Sequence, residues 1–263
     1  MSDFTVEPCR NLDSLNKSLV ENEINFNRTV LFSAEIDLTE IEAVRASFPK
    51  ETRPTYTAFI AKAVASTIVG FPYANRRLFS ILGIPFFSFF QSFKESDIAV
   101  AIERNVENYN AVAYIEILRQ ANKKSLLEIT QSLREFSQSD LETSAQWKSF
   151  YNLGMKAPSL LSGKIAGLPK HFPKLWRKYR GGAVLISSPA KYGVDGVVAA
   201  WMHPLSFSFG LAQKKPMVKN DEVVAVQAFT FVMNWDRRIM AGAQAARFFA
   251  QICENLRHPK NLI

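Results

Sequence analysis

Imidazole is scarce in this chain: His171, His203 and His258 are the three histidines in 263 residues. Histidine's ordinary pKa of roughly 6.5 makes it the usual proton acceptor near neutral pH, so general-base chemistry has few candidates here. Thiols are scarcer. Cys9 and Cys253 are too few and too isolated for a disulfide frame or a zinc site, and no metal is expected. Cys9 sits beside Pro8 with no histidine close in sequence to activate it, so both cysteines read as ordinary reduced thiols. No run of eighteen or more apolar residues occurs, and Met1 to Thr5 lacks the basic start and apolar run of a secretory signal. The expected location is the cytoplasm.

Acidic residues are missing from one stretch. Between Lys148 and Arg180 there are eight Lys or Arg residues and no Asp or Glu, which equals the net charge of +8 for the whole chain. The remainder is therefore balanced. No recognised nucleic-acid motif accompanies these cations, so no nucleic-acid partner is expected. They form a solvated face, an anion dock or a patch for an anionic membrane surface. Leu168, Phe172, Trp176 and Tyr179 are interleaved among them, the composition of an interfacial anchor. Pro158, Pro169 and Pro173 divide the stretch, so it does not form one long amphipathic helix.

What is present is apolar mass, 48% of the residues, enough for a sizeable core. The pattern predicts helices over 10–28, from Thr39 towards Pro49, over 55–69, 125–136 and 242–256. Strands are predicted over 29–37, 98–102, 111–115, 183–186, 206–212 and 223–235. Helix runs mix with antiparallel-type strands and do not alternate strictly, which points to an α+β layered fold in a single domain over 1–263. The basic aromatic-rich stretch, at about 140–180, is an insertion in that domain. A second unusual segment, Phe86 to Phe93, holds five phenylalanines in eight positions. Such density serves a core, an oligomer contact or the greasy wall of an acyl pocket, for which Phe86, Phe87, Phe89 and Phe90 are the candidates.

The segment that says most about chemistry is Phe231-Val-Met-Asn-Trp-Asp236-Arg237-Arg238-Ile-Met-Ala241-Gly242-Ala. It resembles the active-site signature Asp-His-Arg-x-x-(Asp/Asn)-Gly-Ala of the 2-oxoacid dehydrogenase acyltransferase (E2) catalytic domains and, more distantly, of chloramphenicol acetyltransferase. Thr57 to Ala65, Phe71-Pro-Tyr-Ala-Asn75, Asp97 to Ile102, Lys123 to Ile129, Gly181 to Ser188 and Tyr192-Gly-Val-Asp195 are similar to further family segments. The resemblance spans nearly the whole chain. It implies a two-layer mixed sheet with helices, a chloramphenicol acetyltransferase-like fold, and a homotrimer with its active site between subunits. Family-like sequence starts almost at once, so a stand-alone member without a lipoyl-bearing module is expected.

The family's catalytic histidine falls on Arg237 and its Asp or Asn partner on Ala241. The serine that hydrogen-bonds the tetrahedral oxyanion is kept as Ser187. Arginine, with a pKa above about 12, is not a proton acceptor, but its planar fork binds a carboxylate, phosphate or oxyanion. His203 is the candidate for a displaced base, and Asp236 is expected to support its loop. By resemblance the substrate is an acyl thioester of coenzyme A or of a phosphopantetheine carrier protein, with no covalently bound cofactor. Ser188, Lys174, Arg177, Lys178 and Arg180 are the candidates for holding its anionic parts. Altered or much reduced acyl transfer is the first expectation, a catalytically inactive trimeric binding protein the second, and lipid or long-chain acyl binding at a membrane surface the third.

Overall fold

The structure, a computed structural model, describes residues 3–8, 29–80, 87–106, 109–152, 167–198 and 202–263. The predicted helix over 10–28, together with Cys9, Phe86, Lys156 and Lys164, lies outside the described residues. Ten strands are described: β1 Phe4–Pro8, β2 Thr29–Asp37, β3 Arg76–Ser80, β4 Ser88–Phe93, β5 Ile98–Val106, β6 Tyr109–Leu118, β7 Val184–Ser187, β8 Leu205–Phe209, β9 Gln213–Lys219 and β10 Glu222–Asp236. The α-helices are α1 Thr39–Ala46, α2 Tyr56–Gly70, α3 Leu126–Gln138, α4 Ala145–Phe150, α5 Pro173–Tyr179 and α6 Gly242–Arg257.

Seven strands form the main sheet, in the order β2-β10-β8-β7-β5-β6, with β9 paired to β10. β5 with β7 and β7 with β8 are parallel, and the other pairs are antiparallel. The sheet is thus mixed, as the α+β reading expects. A second sheet, β1-β4-β3, has three strands.

Helix α2 starts where the Thr55 hydroxyl accepts the Ala58 N–H at 3.2 Å, the usual satisfaction of a helix's first free donors. Ala58, Phe59, Ile60, Ala61, Val64 and Ile68 are all buried on it. It is covered on most sides, by α3 and α6. In α3, Ser125 and Glu128 form a reciprocal capping box, and Leu126, Ile129 and Leu133 make its buried stripe. In α6 the stripe is Ala245, Phe248, Phe249, Ile252 and Leu256, the spacing of one helical face. α6 packs on β2, and α3 on β5 and β6, giving a helical layer on the main sheet. Each fully buried Phe, Leu or Ile here contributes roughly 1.5–3 kcal/mol of transfer free energy.

The Gly181-Gly182 pair that opens β7 has a physical reason. Gly181 has φ +77°, and a Cβ on Gly182 would lie 2.5 Å from the Asp97 carbonyl oxygen. The turn into β7 therefore requires glycine at both positions.

Candidate functional site

Ser187 ends β7 and is half-buried beside a cleft of about 250 Å³. Val100, Ile102, Leu133 and Ile186 supply its apolar lining, and Thr55, Thr57, Arg134, Ser137 and Ser188 its polar lining. The Ser188 hydroxyl is engaged by backbone: it donates to the Phe209 carbonyl at 2.8 Å and accepts the Ala190 N–H at 3.2 Å. Arg134 brings a cation to the cleft, held by a 3.1 Å bond from Nη2 to the Arg53 carbonyl. Arg134 carries no motif that marks it as a cleft residue in the sequence. Its signal was its place directly after Leu133, at the border of the buried stripe of α3, but what faces that border depends on tertiary packing.

Arg237 lies in the turn that follows β10. Asp236 braces that turn, accepting Arg238 N–H and Nε–H on Oδ1, both at 2.9 Å, and pairing with Nη2 on Oδ2 at 2.5 Å. Strand register sets where this turn stands relative to Ser187. Ser187 is level with Ser208 on β8, and Ser208 with Val232 on β10. Arg237 is five positions beyond Val232, so it lies roughly 17 Å along the sheet and about 10 Å across it from Ser187. The two residues occupy opposite edges of one sheet. A single chain does not bring them together.

The basic residues divide similarly. Asp97, Gly182, Pro204 and Asp236 are neighbours along the Arg237 edge, linked by Gly182 N–H to the Asp97 carbonyl and Asp236 N–H to the Pro204 carbonyl. There the buried Asp97 carboxylate pairs through Oδ2 with Arg119 at 2.7 Å and with Arg177, while Oδ1 accepts Gln120 N–H at 2.9 Å. Lys174, Arg177 and Lys178 line a recess of about 500 Å³ with Asp3, Phe4, Arg119 and Gln120. Ser188 sits at the other edge, so the five residues considered for anion binding do not form one cluster. Burial lowers the pKa of the Arg180 guanidinium below the usual arginine value.

His203 is 5% exposed. Its Nε2 is 2.9 Å from the Arg180 carbonyl oxygen, and its ring centroid is 5.2 Å from that of Trp176. Burial drives its pKa down to about 4, with the Arg180 and Arg77 charges acting the same way against the Arg180 backbone bond. In this position it is an interior packing group, and it does not line the Ser187 cleft.

The phenylalanine run forms β4, whose two faces point into different surroundings. Phe90 enters the main core, with the Arg76 guanidinium 3.9 Å above its ring. Phe89 faces the other way against Phe79, centroids 5.8 Å apart, and Phe93 joins Trp176 and Ala183 in a small separate cluster. Phe87 is exposed. None of Phe87, Phe89 and Phe90 lines the Ser187 cleft among the described residues. Among those residues, too, no helix is long and apolar enough to cross a membrane.

The mixed sheet with one helical layer is the chloramphenicol acetyltransferase-like fold. A chloramphenicol acetyltransferase structure superposes with a TM-score of 0.55 at 10% identity, covering 96% of this chain and all of that one. A dihydrolipoamide acetyltransferase from Azotobacter vinelandii, studied for the role of a serine, a histidine and an asparagine in its catalytic mechanism, gives 0.60 at 16% identity, covering 95% of this chain and 89% of that one. In sequence, the family "2-oxoacid dehydrogenases acyltransferase (catalytic domain)" matches residues 8–152 and 176–263. This chain belongs to that family. The acetyltransferase component of the pyruvate dehydrogenase complex of Rickettsia typhi is 22% identical over 229 residues, 83% of this chain. The chain spans about half the length of the curated relatives it matches, 45% in that case.

Proposed function

We propose that the protein handles an acyl thioester of coenzyme A or of a phosphopantetheine carrier in a site shared between subunits of a homotrimer. Ser187 of one subunit and Arg237 of a neighbour face the reacting carbonyl. The observation that carries this reading is Ser187 lining a cleft with both apolar and polar walls; the motif resemblance assigns Ser187 the role of the family's oxyanion serine. In the reaction the acceptor's sulfur or oxygen attacks the thioester carbonyl carbon. The carbon–oxygen double bond opens to an oxyanion that accepts a hydrogen bond from the Ser187 hydroxyl, and the donor thiolate leaves as the carbonyl re-forms. Arg237 holds an anionic group, because arginine does not take a proton from the acceptor. The acceptor is therefore one already ionised at neutral pH.

The test is thioester cleavage and transfer, measured with acyl-CoA of several chain lengths and with an acylated carrier protein. Ser187→Ala or Arg237→Ala should each lower the rate about 10²-fold or more; rates unchanged from the parent would end the proposal. Arg237 at the position of the family's histidine and Ala241 at that of its Asp or Asn partner, as the resemblance implies, favour a second reading, a trimeric binding protein without turnover. The double substitution Arg237→His with Ala241→Asp separates the two. Loss of an existing activity supports the repurposed enzyme, whereas activity gained from none supports the binding protein.

A further inference from the structure

The segment from Leu168 to Tyr179 combines two features that a solvated basic face does not need together. Leu168 and Phe172 are 42% and 44% exposed, and Lys170, Lys174 and Lys178 stand exposed between and after them. Lys174 and Lys178 are one helical turn apart on α5 and share its outer side, opposite the buried Trp176. None of the three ammonium groups takes part in an ion pair with a described residue. The recess beside Lys174 and Lys178 also holds Arg119 and Arg177, both paired with Asp97, and Asp3, 3.8 Å from Arg177.

The rest of the molecule holds this segment firmly by its inner side and its backbone. Arg77 Nη1 donates to the Lys170 carbonyl at 2.9 Å, and Gln91 Nε2 to the Pro173 carbonyl at 3.0 Å. Arg119 donates to the Arg177 and Lys178 carbonyls at 2.7 and 2.8 Å. Trp176 donates its indole N–H to the Gly182 carbonyl at 3.0 Å and lies under the Arg77 guanidinium, 4.2 Å away. Because the inner contacts are satisfied this way, the exposed Leu, Phe and Lys side chains are displayed in a fixed order. The family match omits residues 153–175, so most of this display lies outside the matched region.

We propose that residues 168–179 dock the protein on an anionic lipid surface. Leu168 and Phe172 enter the headgroup layer. Lys170, Lys174 and Lys178 lay their methylene stems along the apolar boundary and meet lipid phosphates with their ammonium groups. Charge complementarity selects an anionic partner, and the side-chain pattern selects a lipid one. Protein interfaces are depleted in lysine at their apolar centres, whereas a membrane boundary keeps lysine next to leucine and phenylalanine.

The full chain is sedimented with vesicles of phosphatidylcholine alone and with vesicles in which phosphatidylglycerol replaces part of the phosphatidylcholine, in low salt and in high salt. Binding is expected on the anionic vesicles in low salt, with release in high salt. The triple variant Lys170→Gln, Lys174→Gln, Lys178→Gln should bind about 10²-fold more weakly. Leu168→Ala with Phe172→Ala should weaken binding while its salt dependence persists. These variants change exposed side chains, and the assay involves no thioester, so its outcome is independent of the acyl-transfer reading. Absence of low-salt binding, equal binding to neutral vesicles, or parental binding by the triple variant would each overturn the proposal. Capture of an acidic carrier protein without vesicle binding would do so as well.

Discussion

Arg237 and His203 show how far residue type alone constrains a site. The loop around Arg237 was legible: Asp236 braces it through Arg238, as the motif implies. Scarcity of imidazoles makes His203 the sequence's candidate for a displaced base. Its burial against Trp176 was not legible, since that contact joins α5 to the approach to β8 across the sheet edge. The burial has a consequence that can be measured. Burial puts its folded pKa near 4, below the ordinary value of about 6.5, so between these values the unfolded chain binds a proton that the folded chain does not. Stability from this residue is fully present above about pH 6.5 and is lost as pH falls towards 4. Urea unfolding of His203→Gln should therefore depend less on pH across that interval than unfolding of the parent. Identical pH slopes for the two proteins would contradict the assignment.

Among the elements, those with one buried face were readable from sequence, as α3, α6 and β2 were from their spacing. β4 was not, because Phe89 and Phe90 pack on opposite sides and erase the two-residue alternation. β9 was missed for the opposite reason: Gln213 to Lys219 is polar, contains Pro216 and buries neither face fully. The short helices α4 and α5 fall inside the basic stretch, where prolines and cations obscure the period. At α6 the structure gives Ala241 a consequence for stability. Ala241 is the N-cap, with extended backbone (φ −73°, ψ 160°) but no side-chain oxygen for the helix's first N–H groups. Gln244 already reaches back to the Ala241 N–H at 3.0 Å. Ala241→Asp should therefore supply the missing cap, stabilise the fold by about 0.5–2 kcal/mol and raise Tm by a few degrees. An unchanged or lower Tm in differential scanning calorimetry would show that the cap does not form.

On the scale of the molecule, strand order matters more than any motif. Ser187 and Arg237 both came from the family resemblance, but their separation follows from β8 and β10 being antiparallel, which no local pattern in the sequence shows. If neighbouring subunits share the site, inactive Ser187→Ala and Arg237→Ala chains should complement each other when unfolded and refolded together. Random assortment gives about a quarter of the interfaces one intact copy of each residue. Activity well above that of either variant is expected, and none would exclude a shared site. The Asp97 pairing bears on the basic segment in a different way. Within α5, Arg177 is tied inward to a carboxylate shielded from solvent, whereas Lys174 and Lys178 are exposed. Mobile ions reach the outward charges and leave the inward pair largely unscreened. An ionic-strength jump should thus detach the helix from whatever it touches outside while leaving it folded, so that attachment can be switched repeatedly without unfolding.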